Sequence, residues 1–183
     1  MGSEESAERL GTVRVGEIMI PVERYPKVTS TSTLRDAVAQ MEKATLEVGG
    51  RRSLPRVLLV FGIDGAFAGV VRRRDIMRGL EPKFLVSEPM EYRKKLFDVD
   101  IDPNLSEFSH ERLVRDVREQ SNRPVCDVMR PVPATLDVDD HIMKAIYEMV
   151  SNNMSLLPVM RNKQVVGVVR SVELFHEVAG LIL

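Results

Sequence analysis

The sequence contains one cysteine, Cys126, and no tryptophan among its 183 residues. A single cysteine excludes an intrachain disulfide, so burial and hydrogen bonding must hold the fold, and a reducing cytoplasmic setting fits. The three histidines, His110, His141 and His176, share no ligand spacing with one another or with Cys126. No zinc pattern results, and no Ser-His-Asp or Cys-His nucleophile constellation is legible. Aromatic residues make up only 5% of the chain, too few to read a stacking platform for nucleic acid. The net charge of −1 provides no global field for nucleic acid or an anionic membrane. No apolar run approaches the ~20 residues that a membrane-spanning helix needs. Residues 1–11 are polar and acidic and do not read as a signal peptide. The expectation is a soluble, non-catalytic protein.

What the sequence does have is a repetition. Gly69-Val70-Val71-Arg72-Arg73-Arg74-Asp75 returns as Gly167-Val168-Val169-Arg170-Ser171-Val172-Glu173. Each copy reads as a buried strand ending at a basic turn, with an acidic residue opening the next helix. A helix start offers free backbone N–H groups and a positive dipole end, which suit an anion. Upstream, Val15-Gly16-Glu17-Ile18-Met19-Ile20-Pro21 returns as Val125-Cys126-Asp127-Val128-Met129-Arg130-Pro131.

Between these markers, periodicity predicts a helix over 34–46, capped by Thr33, with Leu34, Ala37, Val38 and Met41 on one face. Gly49-Gly50 is read as its stop, followed by a basic loop with Arg51, Arg52 and Arg56. A strand over 57–61, an Asp64-Gly65 turn and a return strand over 67–71 follow. A short helix begins near Asp75 and is expected to stop at Gly79. In the second copy, Asp139 or Asp140 caps a helix with Ile142, Ala145, Ile146, Met149 and Val150 on one face. Strands over 156–160 and 165–169 flank a turn at Asn162-Lys163. Ser171 then caps a helix whose apolar stripe is Phe175, Val178, Ala179 and Ile182. The first copy carries extra residues near 46–56. One copy is too small to bury its own faces, so two copies should share a core about a pseudo-twofold axis.

The organisation read from this pattern is a flexible tail over 1–12, a first unit over 13–80, a helical insert over 81–124 and a second unit over 125–183. In the insert, Ser87-Glu88-Pro89 looks like one helix start. A second helix follows Ser109, with Leu113, Val114 and Val117 on one face. Asp98, Asp100, Asp102 and Asn104 mimic the opening of a calcium loop. Pro103 stands where that loop needs glycine, and Ser109 where it needs glutamate, so the stretch reads as a solvated linker and metal is not expected. Cys126 reads as a small packed apolar residue.

This order of elements, stated twice, resembles a tandem pair of CBS domains, a Bateman module, over about 15–80 and 125–182. The resemblance implies an α/β (α+β) fold of two β-α-β-β-α units packed sheet to sheet, with two clefts between them. It implies a non-catalytic regulatory module that senses an adenosine-containing ligand, such as AMP, ADP, ATP or S-adenosylmethionine, and passes a conformational change to an effector protein. It also implies a homodimer. In such units the return strand ends Gly-Xaa-Xaa-Ser/Thr-Xaa-Xaa-Asp, with the hydroxyl at phosphate and the aspartate at the ribose hydroxyls. Asp75 matches the ribose position, while Arg72 replaces the hydroxyl. In the second unit Arg170 and Glu173 stand at the two positions and neither matches. Arginine can fork onto phosphate or simply fill the cleft.

The resemblance gives Ile20-Pro21-Val22 and Arg130-Pro131-Val132 the task of offering backbone amides and apolar surface to adenine. The expected ligand site is therefore Asp75 with Arg72, Arg73 and Arg74, flanked by Ile20, Pro21 and Val22. Arg170 and Glu173 mark the second cleft. The alternative is a ligand-free structural or dimerisation module whose clefts are filled by arginines. Asp75 at a helix start also agrees with a plain stabilising carboxylate.

Overall fold

The protein is described here by a computed structural model covering residues 12–82 and 110–182. The tail over 1–11, the helix start at Ser87-Glu88-Pro89 and the acidic stretch 98–104 lie outside the described residues.

Thr33 and Asp36 form a reciprocal cap. The Thr33 hydroxyl accepts from the Asp36 N–H at 3.1 Å, and the Asp36 carboxylate accepts from the Thr33 N–H at 2.9 Å. Helix α2, Leu34–Lys43, starts there and buries Leu34, Ala37 and Met41. It ends before residue 46, because Leu46 leaves the helix and is buried in the core between the sheets. The expected basic loop is instead an antiparallel hairpin, β3 (Leu46–Val48) with β4 (Arg51–Ser53). Its turn is Gly49-Gly50, with φ of 56° and 74°, a left-handed pair that glycine adopts without steric cost. Strands β5 (Val57–Phe61) and β6 (Phe67–Arg72) follow, then α3 (Arg73–Leu80). Gly79 lies inside α3 and does not stop it. A Cβ there would come within 2.7 Å of Leu34 and 2.8 Å of Val128, so the glycine lets α3 approach its neighbours closely.

Helix α4, His110–Gln120, packs on α3. The turn after it supplies carbonyls to the open start of α2: Leu34 N–H donates to Arg123 O and Arg35 N–H to Ser121 O, both at 2.9 Å. The second unit repeats the first without the hairpin, as β7 (Leu136–Asp137), α5 (Ile142–Ser151), β8 (Leu156–Arg161), β9 (Gln164–Arg170) and α6 (Ser171–Ile182). The cap of α5 is His141, whose Nδ1 accepts from the Met143 N–H at 3.2 Å; Asp140 accepts from the Asp137 N–H and from Lys144 instead. Phe175, Ile182 and Val150 are exposed, so the outer part of each expected stripe faces outward, while α6 buries Glu173 and Leu174. Cys126 is also exposed, not packed.

The lead-in segments cross over. Helix α1 (Val15–Ile18) and strand β1 (Ile20–Pro21) belong to the first copy by sequence. Strand β1 nonetheless pairs antiparallel with β9, Ile20 opposite Val168 and Pro21 opposite Gly167. Reciprocally, Arg130 of the second copy bridges Val70 on β6, with N–H···O distances of 2.9 and 2.8 Å. One sheet therefore runs β1-β9-β8-β7, and the other runs β2-β5-β6 with β2 at Lys27–Thr29. Val13 and Val15 are buried with Leu136, Ile142 and Leu157, whereas Val125 is buried with Leu34, Leu58 and Ile76. A third cluster, including Tyr25, Leu59, Val70, Leu156 and Val168, lies between the sheets. This reciprocity is what a pseudo-twofold relation requires. The α+β architecture of two β-α-β-β-α units follows the expectation.

Candidate functional site

Each return strand ends at an arginine, and each following helix buries an acid in its first turn. The resulting corners differ in what they leave free.

In the first corner Asp75 is only 2% exposed. Its Oδ2 accepts from the Arg72 backbone N–H at 3.2 Å and from Arg72 Nε at 2.7 Å. Its Oδ1 accepts from Arg72 Nη2 and from Arg130 Nε, both at 2.9 Å. A carboxylate has about four lone-pair sites, so these four donors use the acceptor capacity of Asp75. Burial alone would raise its pKa. The hydrogen bonds from Arg72 and Arg130 outweigh burial and hold it at about 2. Arg130 arrives there because its backbone is bridged to Val70, next to Gly69. Arg73 turns away and donates to Pro55 O at 3.0 Å. Arg74 is exposed and lines, with Met77 and Arg78, an open concavity of about 550 Å³ on the outside of α3.

In the second corner Arg170 and Glu173 are both buried. Arg170 Nε donates to Glu173 Oε2 at 2.8 Å, and Arg170 Nη2 pairs with Glu173 Oε1. Arg170 Nη1 donates to Ser53 Oγ at 3.0 Å, so the hairpin of the first unit reaches the corner of the second. Tyr25 is buried beside this pair and donates its hydroxyl to Val57 O at 3.0 Å. Burial raises its pKa, Arg170 opposes that and Glu173 adds to it; the net rise keeps Tyr25 a neutral phenol. By the same count, Glu173 keeps about two acceptor sites and Arg170 two N–H donors.

A cavity of about 440 Å³ opens onto this corner. The lead-in wall carries Glu17, Ile18 and Met19, the hairpin wall Arg51, Arg52 and Ser53, and the helix wall Glu173, His176 and Glu177. A second cavity of about 360 Å³ shares Met19, Val48 and Gly49 with it and reaches Ile20, Pro21 and Arg24.

The structure thus brings Arg72 and Asp75 together, and Arg170 and Glu173 together. It puts Ile20 and Pro21 on the sheet of Arg170, since β1 pairs with β9. Val22 starts a short 3₁₀ turn and packs against the core between the sheets. Two partners escaped sequence reasoning. Arg130 was legible only as part of the entry segment Arg130-Pro131-Val132, not as a partner of Asp75. Ser53 was hidden by reading Gly49-Gly50 as a helix stop, although Gly-Gly between short strands is a hairpin signal. Among the described residues no cluster of three or more His, Cys, Asp or Glu side chains could hold a metal ion. No described helix is long and apolar enough to cross a membrane.

Comparison with known proteins agrees with this architecture. The chain is similar to the CBS domain of a CBS domain containing membrane protein from Sphaerobacter thermophilus, at 18% identity and a TM-score of 0.65, covering 98% of this chain and 94% of that one. It is similar to the CBS domain of a bacterial CNNM/CorC family Mg2+ transporter in complex with ATP, at 16% identity and a TM-score of 0.61, over 98% and 96%. It is also similar to CBSX2 in complex with AMP, at 16% identity and a TM-score of 0.57, over 91% and 96%. A search of curated proteins finds no match. The CBS domain profile matches residues 15–82 and 125–180, most of the chain. With both copies matched and the reciprocal two-unit fold in place, this chain belongs to the CBS domain family, whose domains are regulatory modules and not enzymes.

Proposed function

We propose that this module senses an adenosine-containing ligand of the AMP, ADP or ATP class in the cleft at Arg170 and Glu173. The carrying observation is unspent hydrogen-bonding capacity beside a cavity. Glu173 has acceptor sites for ribose hydroxyls, and Arg170 has donors for a phosphate, next to Ser53 Oγ. Met19 and Ile20 offer an apolar flank for the base. Two similar structures carry AMP and ATP, which supports the ligand class. The first corner suits the alternative role. Asp75 is saturated by Arg72 and Arg130, so that corner acts as a structural clasp between the copies. A ligand shifts the module only by binding one arrangement better than another. The second cleft provides this, because its walls come from both units.

Thermal unfolding with AMP, ADP, ATP, NAD and S-adenosylmethionine at millimolar concentration tests the reading. A ligand at 100 times its Kd adds about 2.7 kcal/mol of stability. Glu173→Ala is expected to abolish the shift, while Asp75→Asn lowers the baseline and keeps it. No shift with any of the five sinks the nucleotide reading.

The family likeness also implies a homodimer. Met143, Tyr147 and Val150, exposed at helical spacing along α5, support a protein-covered face there. Tyr147→Glu is expected to yield a monomer by light scattering where the unaltered chain gives a dimer; a monomer in both cases ends this part of the proposal.

A further inference from the structure

The two clefts differ by one inserted element. Only residues 152–155 join α5 to β8, whereas the first copy places the β3–β4 hairpin between α2 and β5. The hairpin meets the second corner through Ser53, which accepts from Arg170 Nη1. Arg51 stands two residues earlier on β4. Alternate residues of a strand share a face, so Arg51 lies on the Ser53 side, roughly 7 Å along the strand from it at ~3.3 Å per residue. Arg52 also lines the cavity, but its charge is paired with the exposed Glu47 at 3.6 Å. The Arg51 side chain, by contrast, has no hydrogen bond or ion pair among the described residues, yet it lines the cavity.

The cavity is bipolar. Glu17, Glu173 and Glu177 make one side acidic, and Arg51 with Arg52 makes the hairpin side basic. A sugar seated on Glu173 puts its first phosphate at Arg170 and Ser53. Further phosphates that extend along β4 would reach Arg51, the hairpin cation of this cavity that is not already paired.

We infer that Arg51 makes this cleft discriminate by phosphate number: it holds the outer phosphates of a nucleoside di- or triphosphate, while a monophosphate reaches only Arg170 and Ser53. The inference rests on the nucleotide reading above and adds the ligand's charge class. A charge-assisted hydrogen bond to an exposed arginine is partly screened by water and salt, so the expected gain from AMP to ATP is about tenfold in Kd.

Calorimetric titration of the full chain with adenosine, AMP, ADP and ATP, at two salt concentrations, tests it. Expected is about tenfold tighter binding of ATP than AMP, narrowing as salt rises. Arg51→Gln should remove that gap and leave AMP unchanged, while Arg78→Gln, on the separate concavity outside α3, should preserve it. Equal affinity for AMP and ATP in the unaltered chain overturns the inference and leaves the nucleotide reading standing. So does an Arg51→Gln variant that weakens AMP and ATP alike. Absence of binding by every nucleotide overturns both.

Discussion

Gly69→Ala is expected to cost about 3–5 kcal/mol of stability, enough to leave a marginal domain largely unfolded. The residue has φ of 154°, outside the range that L side chains favour, and a Cβ there would stand 2.3 Å from the carbonyl oxygen of Arg130. That neighbour is backbone, held in the Val70–Arg130 bridge, so it cannot rotate away as a side chain would. Two penalties therefore add: strained backbone at Gly69 and a main-chain clash across the unit boundary. Gly167 is the counterpart in the second copy. A Cβ there would meet Met19 Sδ at 2.7 Å and Ile20 O at 2.8 Å, without a positive φ. Gly167→Ala should therefore cost less than Gly69→Ala. Urea unfolding of both variants gives the comparison. A loss under about 1 kcal/mol for Gly69→Ala would show that the bridge can open at little cost.

Asp75→Ala is expected to cost about 3 kcal/mol. Breaking a buried ion pair falls in that range, at its lower end here because Arg72 and Arg130 keep part of their surface in water. The same carboxylate has a signature in acid. Its pKa is depressed from 3.8 to about 2 in the folded chain, so its contribution is present above pH ~4 and is lost as pH falls toward 2. The drop corresponds to roughly 2 kcal/mol at ~1.4 kcal/mol per tenfold change in proton affinity. Stability measured from pH 5 to pH 2 should therefore fall in the unaltered chain, and the Asp75→Asn variant should lack that part of the fall. Parallel curves for the two proteins would mean that Asp75 is not held as an ion by its arginines.

These two variants probe the same seam between the copies, and the seam was only half legible in the sequence. Gly69, Arg72 and Asp75 stood out because they form a repeated local signature. Arg130 did not stand out as their partner, since nothing near it in sequence states which strand it will pair with. The candidate site shows the same limit. Glu173 departs from the family pattern at the ribose position, whereas Asp75 matches it, and sequence comparison alone favours Asp75. The number of donors already on each carboxylate points the other way, and that number depends on side chains from distant segments. The outward-facing Phe175 and Ile182 have a related cause: a helical period locates an apolar stripe but not how much of it the adjoining sheet covers.

Residue order and periodicity were enough to establish the duplication, the β-α-β-β-α unit, the strand-to-helix corners and the absence of a legible catalytic constellation. They suffice because turn chemistry, capping and hydrophobic period act over a few residues. The crossed lead-in segments, the clasp of Asp75 by Arg130 and the reach of Ser53 to Arg170 came from tertiary packing alone. The last two contacts join residues 55 and 117 positions apart. No local rule sets such pairings; they follow from docking two twisted sheets so that each unit's lead-in completes the other's core.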